Sequence, residues 1–155
     1  MHKTGDHAQI VVNPFVVHGA ALLIALLLQG FLPLPFVPAT LARILGVAVF
    51  LAGIGFALPA ARLVRSVHTT FSPNRATTTL LTTGRFHVSR NPIYVGMLLN
   101  YAGLAIFFGT PWGLLLIPVV ILLMNRWVIL PEEEYLTRVF GEAYTTHKSS
   151  TPRWI

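Results

Sequence analysis

Four long hydrophobic blocks, parted by short polar or proline-rich breaks, set the pattern of this chain. After a polar lead ending at Asn13, Pro14 suits a first helical turn, and residues 15–32 are apolar except for His18 and Gln29. A helix over that block rises about 27 Å, close to the roughly 30 Å of a hydrocarbon core. Pro33, Pro35 and Pro38 break it. A second block, 39–64, carries Gly46, Gly53 and Gly55, which allow close helix contact, and Pro59, which should kink its far end. A third, 92–108, follows Asn91, a residue type that caps helices. Gly109-Thr110-Pro111 then turns the chain into a fourth block, 112–130, opened by Trp112 as an interfacial anchor. In residues 132–147, Leu136, Val139, Phe140 and Tyr144 recur at helical spacing, as in an amphipathic helix. The pattern predicts an all-α polytopic membrane protein, a single domain over residues 1–155. It has four transmembrane helices, a loop between the second and third, and a C-terminal amphipathic helix.

Composition narrows the class further. The chain is 54% hydrophobic and 10% charged, against roughly 25% charged in soluble domains. Mean hydropathy is +0.69. With no cysteine, thiolate chemistry and disulfides are excluded. The net charge of +6 is spread over the segments flanking the blocks rather than gathered on one face. Its expected partner is therefore the anionic surface of the bilayer, not nucleic acid. Of the 11 Lys and Arg residues, all but Arg43 fall on one side of a four-span topology. Positive-inside asymmetry puts that side, both termini, the loop and the tail helix in the cytoplasm, in a cytoplasmic (inner) membrane. No cleavable leader is expected.

Candidate chemistry gathers in two places on that side. One is the stretch from Thr83 to Gly96, where a basic, turn-rich loop runs into an apolar helix. The other is Pro131 followed by Glu132, Glu133 and Glu134. The glutamates read either as a helix start favoured by the dipole or as carboxylates for a ligand's ammonium or hydroxyls. The tight hairpin between the two places allows Glu132 and Glu133 to approach Arg90 and Tyr94, and Arg90 could form a structural ion pair there. His87 and His68 are candidate acid–base groups. Gly53-Ile54-Gly55 serves either helix packing or close approach to a cofactor. No metal-ligand spacing, phosphate-cradling loop or nucleophile elbow occurs.

The run Gly84-x-Phe86-x-x-x-Arg90-Asn91-Pro92-x-Tyr94-x-Gly96, a membrane hairpin, then Glu132-Glu133-x-x-Leu136-x-x-x-Phe140-Gly141-x-x-Tyr144 resembles the membrane methyltransferase superfamily. That superfamily includes isoprenylcysteine carboxyl methyltransferases and phospholipid N-methyltransferases. The resemblance spans about residues 76–155 and implies S-adenosylmethionine as methyl donor, with S-adenosylhomocysteine as product. It implies a donor site built from Thr78, Thr79, Leu80, Leu81, Phe86, Asn91, Pro92, Ile93 and Tyr94. Glu132 and Glu133 would take the donor's polar end, with Gly53 and Gly55 as a further element. Arg90, Glu133 and His87 are the candidate catalytic groups. The implied acceptor is lipophilic or amphiphilic, entering from the bilayer, such as a phospholipid amine. An isoprenylcysteine carboxylate is disfavoured, because Val128 and Asn91 stand where those enzymes carry arginine and histidine. The competing expectation is a non-catalytic membrane scaffold or subunit with the same bundle.

Overall fold

The computed structural model describes residues 11–66 and 79–155, and every described element is helical. Helix α1 spans Pro14–Phe31 and α2 spans Ala39–Ser66. A short α3, Arg85–Val88, precedes α4, Pro92–Phe107. Then come α5, Pro111–Leu115, and α6, Ile117–Met124. A π-helical turn, Asn125–Ile129, leads into α7, Leu130–Phe140, and α8, Glu142–Ser150.

Helices α1 and α2 are long and apolar enough to cross a membrane, and α4 is a shorter apolar helix. Only 17% of the most apolar stretch of α2 is buried, which a soluble core helix would not permit. Phe15, Leu23, Ile24, Leu27, Ile44 and Leu51 all point outward, as expected of side chains solvated by lipid.

The interior is organised by a glycine seam between α2 and α4. Gly46 lies against Gly103, and Gly53 against Gly96, each pair seven residues from the next along two antiparallel helices. A Cβ on Gly46 would stand 2.5 Å from the Phe107 nitrogen and 2.7 Å from the Gly103 carbonyl. Only hydrogen lets these backbones touch, and in lipid such contact replaces hydrophobic burial as the driving force. Gly55 is different: it is exposed, and a Cβ there meets nothing within 4 Å. It plays no part in the seam.

Polar side chains staple the other elements where prolines and turns leave carbonyls open. Trp112 donates to the Leu32 carbonyl at 2.8 Å, and Gln29 bonds both the N–H and the carbonyl of Leu34. Gln29 thus seals the Pro33–Pro38 connection, and His18 is buried. Thr110 donates to the Ala25 carbonyl, and Tyr101 to that of Gly113. Gly109, at φ 65, makes the tight turn.

Two expected elements are divided. The block 112–130 is not one helix: it breaks at Leu116, before Pro118, and loosens into the π turn before Pro131. Pro131 has no N–H for the Trp127 carbonyl, which the Val11 N–H takes at 3.0 Å. The tail 132–147 bends at Gly141, whose φ of 54 and ψ of −125 suit glycine alone. Asn91 precedes α4 but makes no side-chain cap.

Candidate functional site

The loop before α4, the first turns of α4 and α7, and the Tyr144 and His147 face of α8 converge at one end of the bundle. They line a partly open cavity. Thr79, Leu80, Leu81, Phe86, Arg90, Asn91, Pro92, Ile93, Tyr94, Glu132 and Glu133 line it. Val64 lines it too, and Leu136, Tyr144 and His147 complete the wall. Residues more than fifty positions apart in the chain therefore share one chamber.

Two adjacent glutamates have taken different jobs. Glu133 is buried and held by three cations: Arg90 at 2.8 Å, Arg153 at 2.8 Å and Lys148 at 3.6 Å. Burial pushes its carboxyl up, but the Arg153 hydrogen bonds and the charges of Arg90, Arg153 and Lys148 outweigh burial and hold it below the usual range. A carboxylate so occupied is a poor proton acceptor. Glu132, one residue earlier, accepts a hydrogen bond from the Tyr94 hydroxyl at 3.1 Å. Burial raises it to about 7; the Tyr94 bond opposes the rise and the Glu133 charge adds to it.

Arg90 gives Nη1 to Glu133, while its Nε–H, buried in the cavity wall, has no partner among the described residues. Its backbone N–H donates to the Pro152 carbonyl at 2.9 Å. The C-terminal segment is thus part of the site. The Arg153 carbonyl accepts from the Asn91 side chain at 3.0 Å and from the Ser89 hydroxyl at 3.3 Å. Ser89 in turn accepts from the Asn91 N–H. Asn91 therefore ties the tail to the loop, which is why its side chain is not available as a helix cap.

The remaining expected residues lie elsewhere. Gly53 is in the α2–α4 seam and Gly55 on the exposed face of α2, neither on the cavity wall. His87 is exposed on α3, outside the wall. Thr78 and His68 fall outside the described residues. Sequence reasoning passed over Arg153 and His147. Arg153 stands in the stretch 152–154, which looks like the ending of the carboxyl methyltransferases, and His147 has no motif around it.

The sequence profile of the phospholipid methyltransferase family matches residues 41–143, more than half of the chain. The chain belongs to that family of membrane methyltransferases, and its apolar, outward-facing helices make it an integral membrane protein. No curated protein and no solved structure is significantly similar to it. The match ends just before Tyr144, so His147 and Arg153 reach the site from beyond it.

Proposed function

We propose that this protein is an S-adenosylmethionine-dependent methyltransferase acting on a lipophilic or amphiphilic acceptor that reaches the cavity from the bilayer. The observation that carries this reading is one cavity holding a carboxyl of the cation-binding kind, Glu132, and a buried, unpartnered donor, Arg90 Nε.

The cavity suits such a donor by charge. The methionyl end of the donor is a zwitterion next to a sulfonium, so it asks for both an anion and a hydrogen-bond donor. A carboxylate on Arg90 Nε satisfies a buried group that otherwise lacks a partner. An ammonium or sulfonium near Glu132 favours its ionised form. Thr79, Leu80, Leu81, Phe86, Pro92 and Ile93 offer an apolar wall for an adenosyl group.

When bound, the donor supplies an electrophilic methyl group on sulfur. The chain's own contribution is alignment and exclusion of water. Tyr94 keeps Glu132 oriented. The ion-paired Glu133 holds α7, the loop and the tail in register around the cavity.

Four spans, α1, α2, α4 and the broken α5–α6 segment with its π turn, fit the family reading, with the cavity and both termini on the cytoplasmic side. The test is calorimetric titration of S-adenosylhomocysteine into detergent-purified protein. Binding is expected, weakened tenfold or more in Glu132→Ala. An unmutated, folded protein that does not bind overturns the reading.

A further inference from the structure

A phospholipid amine poses a problem that the donor site alone does not solve. An alkyl ammonium, with a pKa near that of lysine at about 10.4, is almost wholly protonated at neutral pH. Its nitrogen lone pair is occupied, so it cannot attack a methyl group until a base removes a proton.

The groups near the cavity differ in their freedom to serve as that base. Glu133 is shared by Arg90, Arg153 and Lys148. Glu132 is hydrogen-bonded to Tyr94 and is the carboxyl available for the donor's cation. His87 lies off the wall. His147 remains. It lines the cavity from α8, is only 7% exposed, and turns Nδ1 toward the Thr151 hydroxyl at 3.4 Å. Among the described residues the ring's hydrogen bond is carried by Nδ1, which leaves Nε2 as the other ring nitrogen.

We propose that His147 is the catalytic base, its Nε2 taking a proton from the ammonium of a phospholipid amine held in the cavity. This rests on the methyl-transfer reading above. The proton leaves nitrogen for Nε2, and the freed lone pair forms the new C–N bond. The C–S bond breaks with its electrons left on sulfur, giving the thioether product. The imidazolium then loses its proton to water at the open side of the cavity.

The surroundings keep the ring ready. Burial, then the charges of Arg90 and His87, hold His147 below its usual range, which favours the neutral ring. Glu132 and Glu133 face the same space from α7, Tyr94 from α4, and Tyr144 from α8 itself. Thr151, bonded through its N–H to the His147 carbonyl, fixes the ring's edge.

The test uses the full chain in detergent, a labelled methyl donor, and vesicles of phosphatidylethanolamine and phosphatidylglycerol. His147→Gln and His147→Ala are compared with the unmutated protein for turnover and for S-adenosylhomocysteine affinity. Turnover at pH 7 is expected to fall a hundredfold or more, with affinity within twofold, a range typical of losing a general base. The unmutated rate should level off once the imidazole is neutral, whereas the variants should keep rising toward the amine's own pKa. Added imidazole should restore part of the rate to His147→Ala. Unchanged turnover, or affinity lost in step with turnover, overturns the proposal. So does an unmutated protein that binds S-adenosylhomocysteine but leaves these vesicles unlabelled. Failure of the unmutated protein to bind S-adenosylhomocysteine overturns the donor reading instead, and this proposal with it.

Discussion

Arg153 lays Nε and Nη2 on the two oxygens of Glu133, each at 2.8 Å, closing a planar two-bond fork between the last residues of the chain and α7. Because Arg90 holds the same carboxylate, that fork locks the tail to the loop before α4. Charge-assisted bonds of this kind contribute about 1.5–3 kcal/mol each. Arg153→Gln should therefore lower thermal stability by roughly 2 kcal/mol and weaken S-adenosylhomocysteine binding. Arg153→Lys should recover little, because an ammonium cannot reproduce the fork. Thermal unfolding with and without ligand checks both.

Removing the other partner should cost more. Glu133→Gln strands Arg90 and Arg153 beside a buried neutral amide, and breaking a buried pair costs about 3–5 kcal/mol. We expect poor folding yield or a large drop in melting temperature. A stable Glu133→Gln variant would show that the three cations find other partners.

Glu132 makes the ligand-free protein sensitive to pH in a defined direction. Its folded-state pKa, about 7, lies above the ordinary 4.5, so the fold binds a proton that the unfolded chain releases. Its contribution to stability is full below pH 4.5 and is lost as pH rises through 7. Ligand affinity should run the other way, rising between pH 6 and 8 as the carboxylate forms, since the bound cation needs the ionised form. Glu132→Gln should flatten both slopes, which melting curves and titrations at several pH values would measure.

The seam separates two neighbouring glycines. Gly53→Ala pushes a methyl into Asn100 and the Gly96 carbonyl, and overpacking of this kind costs about 1–3 kcal/mol. Gly55→Ala meets open space and should be neutral, or stabilising by up to about 1 kcal/mol through helix propensity. Paired unfolding experiments would settle it, and equal effects would refute the seam.

Gly141 holds a backbone conformation open only to glycine. Gly141→Ala should cost about 1–3 kcal/mol. It should also displace α8 with Tyr144 and His147, so turnover should fall more than donor affinity. Kinetics alongside calorimetry would distinguish that from a global loss.

Much of this was legible in the chain. The blocks around α1, α2 and α4 are long, apolar and bounded by prolines, so their ends come within two residues of the helices observed. The approach of Glu132 and Glu133 to Tyr94 and Arg90 followed from a tight turn returning the chain to the same side. What was not legible has a common cause. The break at Leu116, the π turn and the bend at Gly141 depend on which carbonyls a proline or a positive φ leaves open, and on what happens to fill them. Val11 on Trp127 is such a case.

The sequence by itself determined the class: apolar blocks of membrane length, an asymmetric basic charge, and paired motifs on either side of a hairpin. Periodicity and composition are local, and local patterns suffice for that. Only the tertiary structure decided how the site's residues divide their work. Burial and partners, not residue type, made Glu133 a structural anion and Glu132 a group poised near neutral pH. They also brought Arg153 and His147, at the far end of the chain, to the loop and helix start that line the cavity.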